Sequence, residues 1–189
     1  MIILGTSFDY HDASAVLLVD GRLVAACMEE RYSRRKHDHA LPAAAIQSCL
    51  RIAGLRPKDI NAVAHYENPL RKFDRIVWTA QQAGDPPAFG ETLRSWFAEG
   101  RFEVKRRLAE SLGKTPDAVH YMDHHLSHAA SAFYFSPFDR AAVLTLDGVG
   151  EYETATISEG SGTILRRTGD VRLPHSLGLF YSAFTAFLG

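Results

Sequence analysis

MIILGTSFDYHDASAVLLVDGRLVAACMEE, residues 1–30, holds three apolar runs separated by short polar turns. MIILGTS reads as a short buried strand ending in a glycine turn. SAVLLVD and GRLVAACMEE read as two strands joined through Asp20 and Gly21, a hairpin signal. The chain therefore opens with a three-stranded meander. PAAAIQSCLRIAGL follows as a helix, with Pro42 suited to a first turn, apolar residues at Ile46, Cys49, Leu50 and Ala53, and Gly54 as its stop. INAVAH is then a short strand, expected parallel to the first because a helix intervenes.

The same grammar returns at residues 141–171, AAVLTLDGVGEYETATISEGSGTILRRTGDV, as strand, Gly/Asp turn, strand, glycine turn and strand. SLGLFYSAFTAFLG supplies the helix after it. This predicts a duplicated β-β-β-α unit. The second copy breaks off at its first helix, so the chain is expected to be the N-terminal part of a longer protein, leaving apolar surface for a partner to cover. Between the copies, residues 67–117 are polar and helical in pattern, interrupted by a GDPP turn at 84–87, and read as an insertion or lid. VHYMD is one more short strand, and a helix is predicted from about Asp123 to Phe135.

With 189 residues, 46% of them hydrophobic and 23% charged, the chain can bury a substantial core. Its 21 basic and 22 acidic side chains nearly cancel, which offers no general attraction to nucleic acid or an anionic membrane. Cys27 and Cys49 lie in apolar patterns and read as core, which suits a reducing cytoplasm. No basic leader precedes MIILGTS, and no apolar run nears the roughly 20 residues that span a bilayer. Neither secretion nor membrane insertion is expected.

DHHLSHAASAFYFSPF, residues 123–138, puts three histidines in five positions. On a helix His124 and His128 share a face, about 5–6 Å apart at Cβ, and can grip one metal ion. Asp147 offers a third ligand, because it ends a strand and is followed by glycines that let the backbone turn at the sheet edge. Two histidines and a carboxylate suit Fe(II), Zn(II) or Mn(II) rather than Mg or Ca. His125 and Asp123 would then support the ligands or cap the helix. Two hydrogen-bonded core histidines would satisfy the same spacing. In SFDYHDASA, residues 7–15, Asp9, His11, Asp12 and Ser14 share a turn, where a histidine flanked by carboxylates can act as a general base or simply belong to a solvated turn. In EERYSRRKHDH, residues 29–39, the burst of Arg31, Arg34, Arg35, Lys36 and His37 could hold a phosphate or carboxylate, or be a solvated loop.

Taken in order, GTSFDYHDASAVLLVDG, EERYSRRKHD, YMDHHLSHAASAFYFSPF, TLDGVGE and HSLGLFYSAFTAFLG resemble the N-terminal, Kae1-like part of the NodU/CmcH-type O-carbamoyltransferases. The resemblance runs over essentially the whole chain. It implies an α/β actin-like ATPase domain (ASKHA, ribonuclease-H-like), with residues 1–140 a complete first subdomain carrying the insertion and residues 141–189 the truncated start of a second. In that family a YrdC-like domain makes carbamoyl-adenylate from carbamoyl phosphate and ATP, and the Kae1-like domain passes the carbamoyl group to a hydroxyl of a small-molecule or saccharide acceptor. The family's metal site maps onto His124, His128 and Asp147, with Fe(II) the implied ion. A further aspartate ligand, expected much later, has no counterpart here. His11 matches the residue that deprotonates the acceptor, and Lys36 a lysine lining the same site. The family's adenosine-binding portion has no counterpart either, so the isolated chain is expected to be inactive. Two rival expectations are a catalytically silent actin-like binding module and a TsaD-like threonylcarbamoyl transferase acting on tRNA. The near-neutral charge and the HDAS and RRKHD motifs weigh against the latter.

Overall fold

The computed structural model describes residues 1–84 and 86–189, so the turn expected through GDPP rests partly on Asp85, outside the described residues. The chain separates into two compact units, residues 1–66 with 87–121, and residues 67–86 with 122–189.

In the first unit the opening stretch forms β1 (Ile2–Ser7), β2 (Ser14–Val19) and β3 (Arg22–Met28) as an antiparallel meander. Asp20 and Gly21 both have positive φ, the backbone that a two-residue hairpin turn with the strands' own twist requires. A one-turn α1 (Glu30–Ser33) leads to α2 (Ala43–Ala53), which lays Ala45, Ile46, Cys49 and Leu50 on the sheet and stops at a left-handed Gly54. Pro42 stands just ahead of the helix rather than inside it, as its N-cap. With a helix in between, β4 (Ala62–His65) returns parallel to β1, and β5 (Val119–Tyr121) adds parallel to β4. The five strands lie in the order β3-β2-β1-β4-β5. Leu4, Phe8, Leu17, Val63 and Val119 are fully buried in its core, each side chain stabilising by about 1.5–3 kcal/mol. Cys27 and Cys49 are free thiols and Cys49 is core, as their apolar context predicts.

The 67–117 segment is not one body. Its first helix, α3 (Pro69–Ala83), belongs to the second unit, while α4 (Pro86–Ala98, apart from its first residue) and α5 (Val104–Leu112) belong to the first. Val104, Leu108, Ala109 and Leu112 of α5 are core residues of the five-stranded sheet, which is integral packing rather than a lid.

The second unit carries the repeat. The strands β6 (Arg140–Leu146), β7 (Glu153–Ser161) and β8 (Ile164–Arg172) form another antiparallel meander, followed by α7 (Leu177–Leu188). Helix α6 (His124–Phe133) packs on this sheet through Ala129 and Phe133 against Val143. The compact division thus falls before α6, whereas the sequence reading put the boundary at 140/141. Helix α7 is apolar nearly all round and has no buried residue, with Leu177, Phe180, Tyr181 and Phe187 more than half exposed. Among the described residues no helix is long and apolar enough to cross a membrane.

Candidate metal centre

Asp123 opens α6: its Oδ1 accepts the Leu126 N–H at 2.8 Å, the bond that fixes a helix start. From that origin His124 and His128 fall one turn apart on one face, and His125 about 100° round from His124. The strand β6 delivers Asp147 opposite them. Its Oδ1 accepts the Gly148 N–H at 2.6 Å, which leaves Oδ2 for the histidines. His124 Nε2 stands 2.7 Å from Asp147 Oδ2, and His128 Nε2 stands 3.2 Å from His124 Nε2 and 3.5 Å from Asp147 Oδ2. A triangle of such sides has its corners about 1.8 Å from a common centre, so an ion just off its plane meets all three at the roughly 2.0–2.2 Å of nitrogen and carboxylate bonds. The residues present therefore fit a first-row divalent ion, and the mixed nitrogen and oxygen donors disfavour Mg and Ca.

Two glycines make this approach possible. A Cβ on Gly150 would lie 2.9 Å from the His124 ring and 3.0 Å from that of His125. One on Gly178 would lie 2.6 Å from the Asp147 carbonyl oxygen, so only glycine lets the first turn of α7 rest on the Asp147–Gly148 backbone. Ser176 completes the contact by donating its hydroxyl to the Gly148 carbonyl at 2.6 Å while capping α7. The separated motifs LDGVGE and HSLG thus meet at one place.

The far nitrogen of His124 has a partner that the sequence reading missed. Glu67, buried and paired with Lys72 Nζ at 2.7 Å, faces His124 Nδ1 at 3.3 Å. A carboxylate there orients the ring and raises its basicity as a ligand. Glu67 lies 57 positions from His124, and no local motif signals it. Burial alone would lower the basicity of His124, but the bonds to Asp147 and Glu67 outweigh it and hold its pKa up at about 9. The same contacts from His124 and His128 hold the Asp147 carboxyl well below the usual range. Negative charge gathered on both sides of the ring favours a positive charge between, whether proton or metal ion.

His125 does different work. Its ring is buried, Nδ1 lies 2.7 Å from the Thr145 hydroxyl and Nε2 2.9 Å from the Glu153 carbonyl oxygen. Since a carbonyl only accepts, Nε2 carries the proton and Nδ1 accepts from Thr145, whose oxygen is in turn 2.7 Å from Thr156. Burial lowers its pKa, and the ring is neutral. It pins α6 to β6 and β7. Asp123, Glu151 and Glu153 form a second close group of carboxylates. Guanidinium groups fill it: Arg71 stands 3.0 Å from Glu151, Arg172 stands 3.2 Å from Glu153, and Arg167 pairs with Asp123. Although Glu151 Oε2 and Glu153 Oε1 accept no well-angled hydrogen bond, these ion pairs account for them, and the group anchors α3 and β8 rather than offering a cation site.

In the first unit, His11 Nδ1 lies 2.8 Å from Asp12 Oδ2, and His37 Nδ1 lies 2.9 Å from Asp12 Oδ1. These bonds hold the Asp12 carboxyl below its usual range. Lys36 is exposed in the turn beside His37. Asp9 is tied to Arg107 at 2.6 Å.

Comparison with known proteins places the chain. It is 44% identical over 196 residues to the uncharacterized protein sll1178 of Synechocystis, covering 99% of this chain and 32% of that protein. It is 33% identical over 184 residues to the nodulation protein NolNO of Sinorhizobium fredii, covering 95% of this chain and 25% of that protein. It therefore spans a third or less of the length of these relatives. Among solved structures it is similar to YeaZ from Pseudomonas aeruginosa, with 17% identity over 92% of this chain and 67% of that one at a TM-score of 0.47. It is also similar to a ROK hexokinase from Thermus thermophilus, with 18% identity over 90% of this chain and 49% of that one, again at 0.47. The family described as Carbamoyltransferase N-terminus matches residues 2–189, and it is to this family that the chain belongs.

Proposed function

We propose that this chain is the N-terminal part of an O-carbamoyltransferase that passes a carbamoyl group from carbamoyl-adenylate to a hydroxyl of a small-molecule or saccharide acceptor. The reading rests on one observation above all, the convergence of His124 Nε2, His128 Nε2 and Asp147 Oδ2 in a chain of this family. Carbamoyl-adenylate would come from a YrdC-like domain using ATP and carbamoyl phosphate, in a cytoplasmic setting.

His124, His128 and Asp147 would hold a divalent ion, with Fe(II) preferred. Bound there, the ion supplies Lewis-acid stabilisation of the charge that develops at the transferring group. The chain's own residues do the rest. Asp147 balances the ion's charge, Glu67 fixes the tautomer of His124 so that Nε2 faces the ion, and Gly150 and Gly178 let the ligand loop close beneath the rings. In the same proposal His11 takes the proton of the acceptor hydroxyl and Lys36 lines the acceptor site.

The first test is metal content after anaerobic purification, beside a His128→Ala variant. About one ion per chain, lost in the variant, is expected. The second is turnover by the full-length protein given ATP, carbamoyl phosphate and a panel of hydroxyl acceptors, read as acceptor gaining one carbamoyl group. Metal-free protein together with no acceptor-dependent consumption of carbamoyl phosphate would sink the reading.

A further inference from the structure

One carboxylate in the first unit serves two histidines from different loops. Asp12 receives His11 through one oxygen at 2.8 Å and His37, 25 positions on, through the other at 2.9 Å. Both imidazole side chains stay more than half exposed, His11 at 58% and His37 at 62%. Fastening the two loops together does not require these bonds. The backbone already does so, through Asp9 N–H to the His39 carbonyl at 2.9 Å, Ala13 N–H to the Asp38 carbonyl at 2.7 Å and Glu29 N–H to the Ala13 carbonyl at 2.8 Å. The arrangement is also held in unfavourable backbone. Asp12 has φ 52°, His37 φ 56° and nearby Asp9 φ 71°, a concentration of left-handed non-glycine residues that persists only where surroundings impose it. Glu30 is part of that imposition, accepting the His37 N–H at 3.1 Å. Arg107 is another, gripping Asp9.

An ionised carboxylate can only accept, so each Nδ1 that meets Asp12 must carry its ring's proton. Nε2 of each neutral ring is then left with a lone pair. Free histidine in water prefers the opposite tautomer, with the proton on Nε2, which would offer no lone pair there. We propose that Asp12 is a positioning residue that locks His11 and His37 in the same tautomer, so that this loop pair presents two unprotonated Nε2 atoms to a hydroxyl-bearing acceptor. This rests on the functional reading above for the identity of the acceptor, but not for the tautomers. In the proton transfer the acceptor O–H bond breaks, its electron pair stays on oxygen, and the proton goes to one Nε2. Asp12 remains ionised and faces the imidazolium so formed.

The test is long-range nitrogen–proton correlation spectroscopy on the full chain labelled with nitrogen-15 histidine, beside Asp12→Asn and Asp12→Glu. In the wild type, His11 and His37, assigned through His11→Gln and His37→Gln, should both show the Nδ1–H form. Asp12→Asn should release both to the Nε2–H form, and Asp12→Glu should retain the lock in at least one. A wild type with either ring in the Nε2–H form overturns the proposal whether or not the variants fold, as does an Asp12→Asn protein in which both rings keep Nδ1–H. In the full-length enzyme Asp12→Asn should lower kcat about 10–100-fold with little change in KM, the size of loss expected when a histidine's orienting carboxylate is removed. Unchanged kcat overturns the catalytic part. A wild type that turns over no acceptor would count against the functional reading alone, since the tautomers are measured independently.

Discussion

Two histidines and an aspartate occur twice in this chain, and the two sets are wired in opposite senses. In the second unit Nε2 of His124 and Nε2 of His128 converge on one oxygen of Asp147, with Glu67 behind the far nitrogen of His124. In the first, Nδ1 of His11 and of His37 take separate oxygens of Asp12, and the Nε2 atoms are left over. Among the described residues only two groups bring three potential ligand atoms within 4.8 Å of one another; His124, His128 and Asp147 are one, and the Asp12 set is neither. Composition is thus identical while chemistry is not. Two ring nitrogens converging on one oxygen suit a cation, whereas two rings on separate oxygens leave their other nitrogens for the base proposed above.

The sharpest way to break the contrast is to remove the convergence point. Asp147→Ala should take bound metal from about one ion per chain to nearly none, by elemental analysis after dialysis, because two neutral imidazoles on an otherwise open site hold a divalent ion weakly. Retention of the ion would show that Asp147 is not a ligand. His125→Ala should leave the donor set intact yet destabilise the fold by about 3 kcal/mol in urea unfolding, since it empties the volume of a fully buried ring and removes its bonds to Thr145 and Glu153. A loss below about 1 kcal/mol would mean that the pin is dispensable.

The pH dependence probes the set in the second unit without mutation. His124 in the metal-free fold titrates at about 9 against an ordinary 6.5. The folded form holds that proton more tightly, so the stabilisation is full below about pH 6.5 and is lost as pH rises through about 9, amounting to at most about 3 kcal/mol. Urea midpoints of metal-free protein should fall across that window. A flat profile would deny the His124 pairing with Asp147 and Glu67. Glu67→Gln should weaken metal affinity by about 10–100-fold without abolishing it, and Asp12→Asn should leave metal content where it was. Equal effects from those two variants would erase the distinction between the sets.

Much of this was legible in the sequence because it is local. Alternation and turn residues in 1–30 and 141–171 mark both meanders, and the spacing of His124 and His128 puts them on one helical face wherever that helix packs. Asp147 could be found from its place at a strand end before glycines. Glu67 could not, because its contact with His124 depends on where α3 begins in space, and nothing near it in sequence records that. Nor could the bond between Asp12 and His37, which joins two loops through positive-φ backbone at residues that are not glycine. The division of 67–117 was hidden for a related reason. An amphipathic pattern tells which face of α3 or α5 is buried but not against which sheet, and α5 supplies core to one unit while α3 is held by ion pairs in the other.

The buried ring of His125 has a consequence for genetics. Selection for a working protein would mark all three histidines of HHLSH as intolerant to change, and a loss-of-function screen would report one uninterrupted essential motif. The screen would be sound and its chemical interpretation wrong at one position in three: substitutions of His125 are expected to lower the amount of folded protein, and those of His124 and His128, on the proposed reading, to empty it of metal. Abundance and metal occupancy scored side by side on the same variants would split the motif into its architectural and its chemical members.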